Sequence, residues 1–134
     1  MAEPAELVGS FVVEVGVRQV WPFLTFCDDR STPPTEHRLY IESGIEVSPP
    51  RGTAQYNSVS TRWQTLFVLD GRTVGSVAEG PRGDLRIEFE TGEALVVFGE
   101  QDAQASGAPW WIGLLQLTDR AVGARQPVRM GAEK

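Results

Sequence analysis

Alternating apolar and polar side chains dominate the chain. In residues 10–18, SFVVEVGVR, an extended backbone puts Phe11, Val13, Val15 and Val17 on one face and Glu14, Gly16 and Arg18 on the other. A turn at Arg18-Gln19 leads into VWPFLTF at 20–26. Pro22 has no N–H to donate, which predicts an edge position or a bulge for that strand. The stretch CDDRSTPPTEHR at 27–38 has turn chemistry throughout and predicts an exposed loop. RLYIES at 38–43 resumes the strand pattern with Leu39 and Ile41 on one face, and IEV at 45–47 continues it beyond Gly44.

The pattern then changes period. In SVSTRWQTLFVL, 58–69, Val59, Trp63, Leu66 and Phe67 fall at helical spacing. Ser58 is placed as an N-cap and Gly71 as a stop, which predicts one helix of about three turns. RTVGSVAE at 72–79 reads as a strand, and GPRG at 80–83 as a turn. DLRIEFE at 84–90 alternates cleanly: Leu85, Ile87 and Phe89 face inward, Arg86, Glu88 and Glu90 outward. Thr91-Gly92 joins it to EALVVF, 93–98, as a hairpin. WWIGLLQL at 110–117 is apolar on both faces and predicts a central strand.

The two halves repeat. Leu7-x-Gly9-x-x-Val12-x-x-Val15 matches Leu69-x-Gly71-x-x-Val74-x-x-Val77. Leu24-x-Phe26 then matches Ile87-x-Phe89, and Leu39-Tyr40-Ile41 matches Leu95-Val96-Val97. A three-stranded unit alone leaves one apolar face exposed, and two packed together cover each other. The fold class is therefore α+β, mainly β: antiparallel strands in two similar three-stranded units with one helix, about 58–69, between them. One domain is expected over 1–117, with repeat units about 7–47 and 69–98, followed by an irregular tail at 118–134.

These motifs resemble a family of small bacterial proteins of unknown function. The matching stretches are Leu7-Val8-Gly9, Phe89-Glu90-Thr91-Gly92, Leu66 to Arg72 with its LDGR ending, and Ala108-Pro109-Trp110-Trp111-Ile112. The resemblance covers residues 7 to about 115. It departs in the first half, where the proline loop replaces the acidic-Gly turn. It implies the fold and carries no site residues.

Composition narrows the function classes. The chain has 134 residues, enough to bury roughly two thirds of its unfolded surface in one core. Its formal net charge of −6 disfavours phosphate backbones and anionic lipid and favours a basic partner protein. Neither a nucleic acid nor a membrane partner is expected. A single cysteine, Cys27, excludes an internal disulfide and the cysteine-based zinc sites. No stretch reaches the roughly 18 apolar residues of a membrane helix, so a soluble, cytoplasmic protein is expected.

Candidate chemistry is sparse. His37 is the only histidine and is placed in the exposed loop beside Glu36, with no partner to orient it as a base. Asp28 and Asp29 beside Cys27 would raise a thiol pKa, the wrong direction for a nucleophile. Asp28, Asp29, Glu36, Glu42 and Glu46 match no calcium-loop spacing. The expectation is therefore no catalytic residues, no cofactor and no metal site. The interface candidates are Glu88 and Glu90, displayed on one strand face, and Trp110 and Trp111, which point to opposite faces. Together these suggest a non-enzymatic protein-interaction or accessory domain, immunity-like in meeting a basic partner through an acidic sheet face, with room for a homodimer. The alternative is a small-ligand binder with an aromatic pocket between the two units.

Overall fold

The computed structural model describes residues 3–50, 59–99 and 108–115. The expected tail at 118–134, and Ser58 as the expected N-cap, lie outside them. Among the described residues eight strands form two antiparallel four-stranded sheets: β1 (Phe11–Arg18), β2 (Trp21–Asp28), β3 (Thr35–Ile41), β4 (Ile45–Ser48), β5 (Val74–Glu79), β6 (Leu85–Phe89), β7 (Ala94–Val97) and β8 (Trp110–Leu115). The first sheet has the order β1-β2-β3-β8 and the second β4-β7-β6-β5.

Each half contributes a three-stranded meander, β1-β2-β3 and β5-β6-β7, as the repeat predicts. Each half then gives its fourth strand to the other. β4 leaves the first half to pair with β7, and β8 leaves the second to pair with β3. The exchange is reciprocal at the bond level: Glu42 N–H donates to the Pro109 carbonyl at 2.7 Å, and Phe98 N–H to the Gly44 carbonyl at 2.9 Å.

The meanders also meet at their outer strands through matched bonds. Gly9 N–H donates to Val74 O at 3.0 Å, and its counterpart Gly71 N–H to Val12 O at 2.8 Å. Val12 N–H donates to Arg72 O, and Val74 N–H to Ser10 O. Gly9 and Gly71 both adopt a positive φ, which glycine reaches without a Cβ penalty. A bulge falls between Val12 and Glu14 in β1 and between Val74 and Ser76 in β5. Val12 and Val74 are both buried, so the segments around them occupy like environments.

The core is built from matching pairs. Leu7 and Leu69, Leu24 and Ile87, Leu39 and Leu95, and Ile41 and Val97 are each fully buried. Phe26 and Phe89 complete the set from β2 and β6.

Several local expectations change. The bulge shifts the phase at the start of β1, so Val12 is buried and Val13 is exposed, while beyond it Val15 packs against the core on the expected face. The β1–β2 turn is Gln19-Val20, both at positive φ, one residue later than expected. Pro22 lies in β2, which is an inner strand of its sheet rather than an edge. β2 pairs with β3 only from Phe23 onward, so the missing N–H costs no ladder bond. β8 is an edge strand rather than a central one. Its second apolar face belongs to a surface aromatic row.

The helical element between the units is a 3₁₀ helix at Trp63–Leu69, and a shorter one precedes β1 at Pro4–Leu7. With three residues per turn, Trp63, Leu66 and Leu69 share one side, and the last two are buried. Phe67, which an α-helical stripe would bury, is exposed. Val59 is exposed as well, and Ser60 forms a bridge to Val47 on the outer edge of β4.

Candidate functional site

The two sheets share their inner faces but not their outer ones. Strand register puts Gly16, Phe23, Tyr40 and Trp111 in one row across the first sheet. The corresponding row of the second sheet is Ala78, Arg86, Val96 and Glu46. In the first row Tyr40 and Trp111 stack, with ring centroids 5.1 Å apart and planes 18° apart. Gly16 makes room for Phe23: a Cβ there would come within 2.5 Å of the ring. The Arg38 guanidinium lies 4.2 Å from the Phe23 centroid, donates to Thr25 Oγ1, and pairs with Glu14 at 3.0 Å. This face is aromatic.

The other outer face is polar and concave. A concavity of about 520 Å³ is lined by Ser48, Pro49, Pro50, Arg86, Glu88, Glu90, Thr91, Gly92 and Ala94. Glu88 and Glu90 stand on its wall, both exposed. Glu88 accepts a bond from Arg86 Nε at 2.9 Å, and Glu90 is anchored by its backbone N–H to Thr73 O. The two glutamates are thus displayed from β6 and the residue after it, backed by the core residues Leu85, Ile87 and Phe89.

Trp110 and Trp111 point to opposite faces. Trp110 packs against the core, and its indole N–H donates to Gly83 O at 2.8 Å. Trp111 joins the outer aromatic row. The structure therefore does not bring the four interface candidates together: Glu88 and Glu90 belong to one sheet, Trp110 and Trp111 to the other. Sequence reading missed Trp21 and Tyr40, and Phe23 buried beneath Arg38, as the aromatic residues of the first sheet's outer face. Their shared face depends on the register of three strands, which no local pattern carries.

His37 is not in a loop. β3 begins at Thr35, so His37 points inward, 5% exposed, with Nε2 3.3 Å from Glu6 and a buried Nδ1 that has no hydrogen-bond partner. Its counterpart in the second half is Glu93, also buried, which is held by Arg72 Nε at 3.0 Å and by the Thr91 hydroxyl. Burial works to raise the Glu93 carboxyl pKa. The Thr91 hydroxyl, a backbone bond and the Arg72 guanidinium outweigh it and leave it below its usual value. Cys27 is buried in β2. Among the described residues no three His, Cys, Asp or Glu side chains gather as a metal site. A second concavity, about 280 Å³, is lined by Val47, Ser48, Pro49, Pro50, Ser60, Thr65, Val68 and Glu93, with no aromatic ring among them.

Asp28, half-buried at the end of β2, is held by Arg30. The Arg30 side chain and then the Arg30 backbone N–H bond its carboxylate and lower its pKa from 3.8 to about 2. A lowered folded-state pKa contributes stability above the ordinary value, and that contribution is lost as pH falls from 3.8 to about 2. NMR titration of the Asp28 carboxyl carbon should give a midpoint near 2, and Arg30→Ala should move it up toward 3.8. A midpoint unmoved by Arg30→Ala would mean the pair does not form in solution.

Comparison of the chain with protein-family models, curated proteins and solved structures gives no match. No helix among the described residues is long and apolar enough to cross a membrane.

Proposed function

We propose that this chain is a cytoplasmic, non-enzymatic protein-interaction domain whose concave acidic face docks a basic protein, as an immunity protein masks a basic toxin. The divergence of the two outer faces on a duplicated core carries this reading. The inner faces keep their matching pairs because both must fill the same space. The outer faces are free of that demand, and one has become a concave wall bearing Glu88 and Glu90. The net charge of −6 would steer a cationic partner toward it. His37 and Cys27, the side chains best suited to proton transfer or nucleophilic attack, are buried.

Crosslinking in the native cells, wild type beside Glu88→Lys/Glu90→Lys, tests the reading. Basic proteins should be captured by the wild type and lost from the double variant. Equal capture by both would sink it. The second concavity favours a small apolar ligand as the runner-up, since Val47, Pro49, Pro50 and Val68 line most of it. Binding there would shift the NMR signals of Thr65 and Val68 and leave Glu88 unmoved.

A further inference from the structure

Charge is ordered on the outer face of the first sheet. Strand register gives this face three successive rows, counted from the β1–β2 turn. Arg18 and Trp21 form the first, and Glu42, two residues beyond Tyr40, meets them over one small hollow. Gly16, Phe23 and Tyr40 form the second, and Glu14, Thr25 and Arg38 the third. Each charged row carries opposite signs at its two ends, and the two rows are reversed. Arg18 and Glu14 stand on β1, while Arg38 is on β3 and Glu42 just past its end.

These rows are accessible. Arg18 is exposed, Trp21 is 39% exposed and the Glu14 side chain 40%. Phe23 and Thr25 are buried beneath Arg38, whose guanidinium lies over the ring and bonds Thr25 Oγ1. The layer that an approaching molecule meets there is the Glu14–Arg38 pair itself. Beside Trp21 the turn holds Val20 at φ +69, with 82% of it exposed. A β-branched residue is strained in that region, and here the strain holds an apolar side chain in water.

We infer that this face packs on the same face of a second copy, about a two-fold axis running along β2 past Trp21. Charge selects this occupant. In a chain of net charge −6, Glu14 and Glu42 cancel Arg18 and Arg38 on this face. The outer face of the second sheet sets Glu46, Glu88 and Glu90 against Arg86 alone, so two copies meeting there would repel. An axis along β2 lays β1 of each copy over β3 of the other. Arg18 then falls over Glu42 of the second copy, and Glu14 over Arg38 of the second copy, so each charge in these rows faces its opposite. Between them Tyr40 falls over Gly16, and on the axis Trp21 meets Trp21 of the second copy, with Val20 beside it. In the next row the buried Glu36 falls over Phe11, which brings no like charges together. Each off-axis contact occurs twice, as a closed two-fold interface requires. Sheets stacked in this way lie roughly 10 Å apart with their strands nearly aligned. The acidic concavities come to lie on the two far sides of the dimer.

Sedimentation and light scattering from micromolar to near-millimolar concentration test the inference. The wild type should form a dimer. Arg18→Glu and Glu42→Arg each set like charges opposite one another and should weaken it at least about tenfold. The double variant Arg18→Glu/Glu42→Arg restores opposite signs and should return the affinity to within about threefold of the wild type. Glu79→Arg, the same change of charge on an exposed site of the second sheet, should alter nothing. A wild type monomeric throughout that range overturns the inference and leaves the face to a different protein. A dimer indifferent to both single swaps overturns it too, as does a double variant no tighter than the weaker single one. If circular dichroism shows a swap unfolded, Trp21→Lys decides: it keeps every backbone bond, puts two cations together on the axis and should give a monomer, and a dimer that persists overturns the inference.

Discussion

Replacing Leu24 or its counterpart Ile87 with alanine should cost about 2–5 kcal/mol in either case, the range for deleting a large aliphatic side chain from a packed core. Both are fully buried and sit on the middle strand of a meander, Leu24 paired with Leu39 and Ile87 with Leu95. The duplication makes a sharper demand than either number alone. The two losses should agree within about 1 kcal/mol, since the same packing surrounds both sites, and either is a large share of the 5–15 kcal/mol that holds a domain together. Urea denaturation of the two variants measures it. A severe loss at one site and a mild loss at the other would show that the halves no longer pack as copies.

Gly99→Ala should destabilise the fold by about 3 kcal/mol, at the upper end of overpacking costs. A Cβ at Gly99 would overlap the Arg82 carbonyl oxygen and lie 2.5 Å from the Gly83 carbonyl carbon and 2.8 Å from Asp84 N. All three are backbone atoms, so no rotamer change relieves the overlap. The turn could move only by breaking the Gly99 N–H bond to Asp84 Oδ1 and the Trp110 indole bond to Gly83 O, at roughly 1 kcal/mol each. Gly44→Ala is the control: its Cβ would meet only the Phe98 ring, at 3.1 Å, and a side chain can shift. Its cost should stay below about 1 kcal/mol. Comparable thermal midpoints for the two variants would refute the backbone clash.

What the sequence showed, it showed where the pattern is local. Leu85, Ile87 and Phe89 alternate and are all buried in β6. The repeated Leu-x-Gly-x-x-Val signatures mark two segments that the fold places in matching bonds. Elsewhere one inserted residue was enough to mislead. The bulge before Glu14 shifts the phase only at the start of β1, burying Val12 in place of Val13, which a period-two reading cannot register because the extra residue looks like any other valine. His37 follows two prolines, so composition points to a loop, yet pairing with Phe26 draws it into β3 and indoors. The two outer faces were half legible. Glu88 and Glu90 could be read from one strand, whereas the aromatic row needs β2, β3 and β8 side by side. That neighbourhood spans the whole chain.

The strand exchange bears on how the protein is made. A ribosome delivers β1 to β4 first, and at that moment the far side of β3 has nothing to hold while β4 has no sheet to join. Both vacancies are filled only when the second half follows, the last of them by β8, the last strand among the described residues. Completion therefore depends on contacts between residues some seventy positions apart, a topology associated with slow folding and with a growing chain that stays sticky until β8 has emerged.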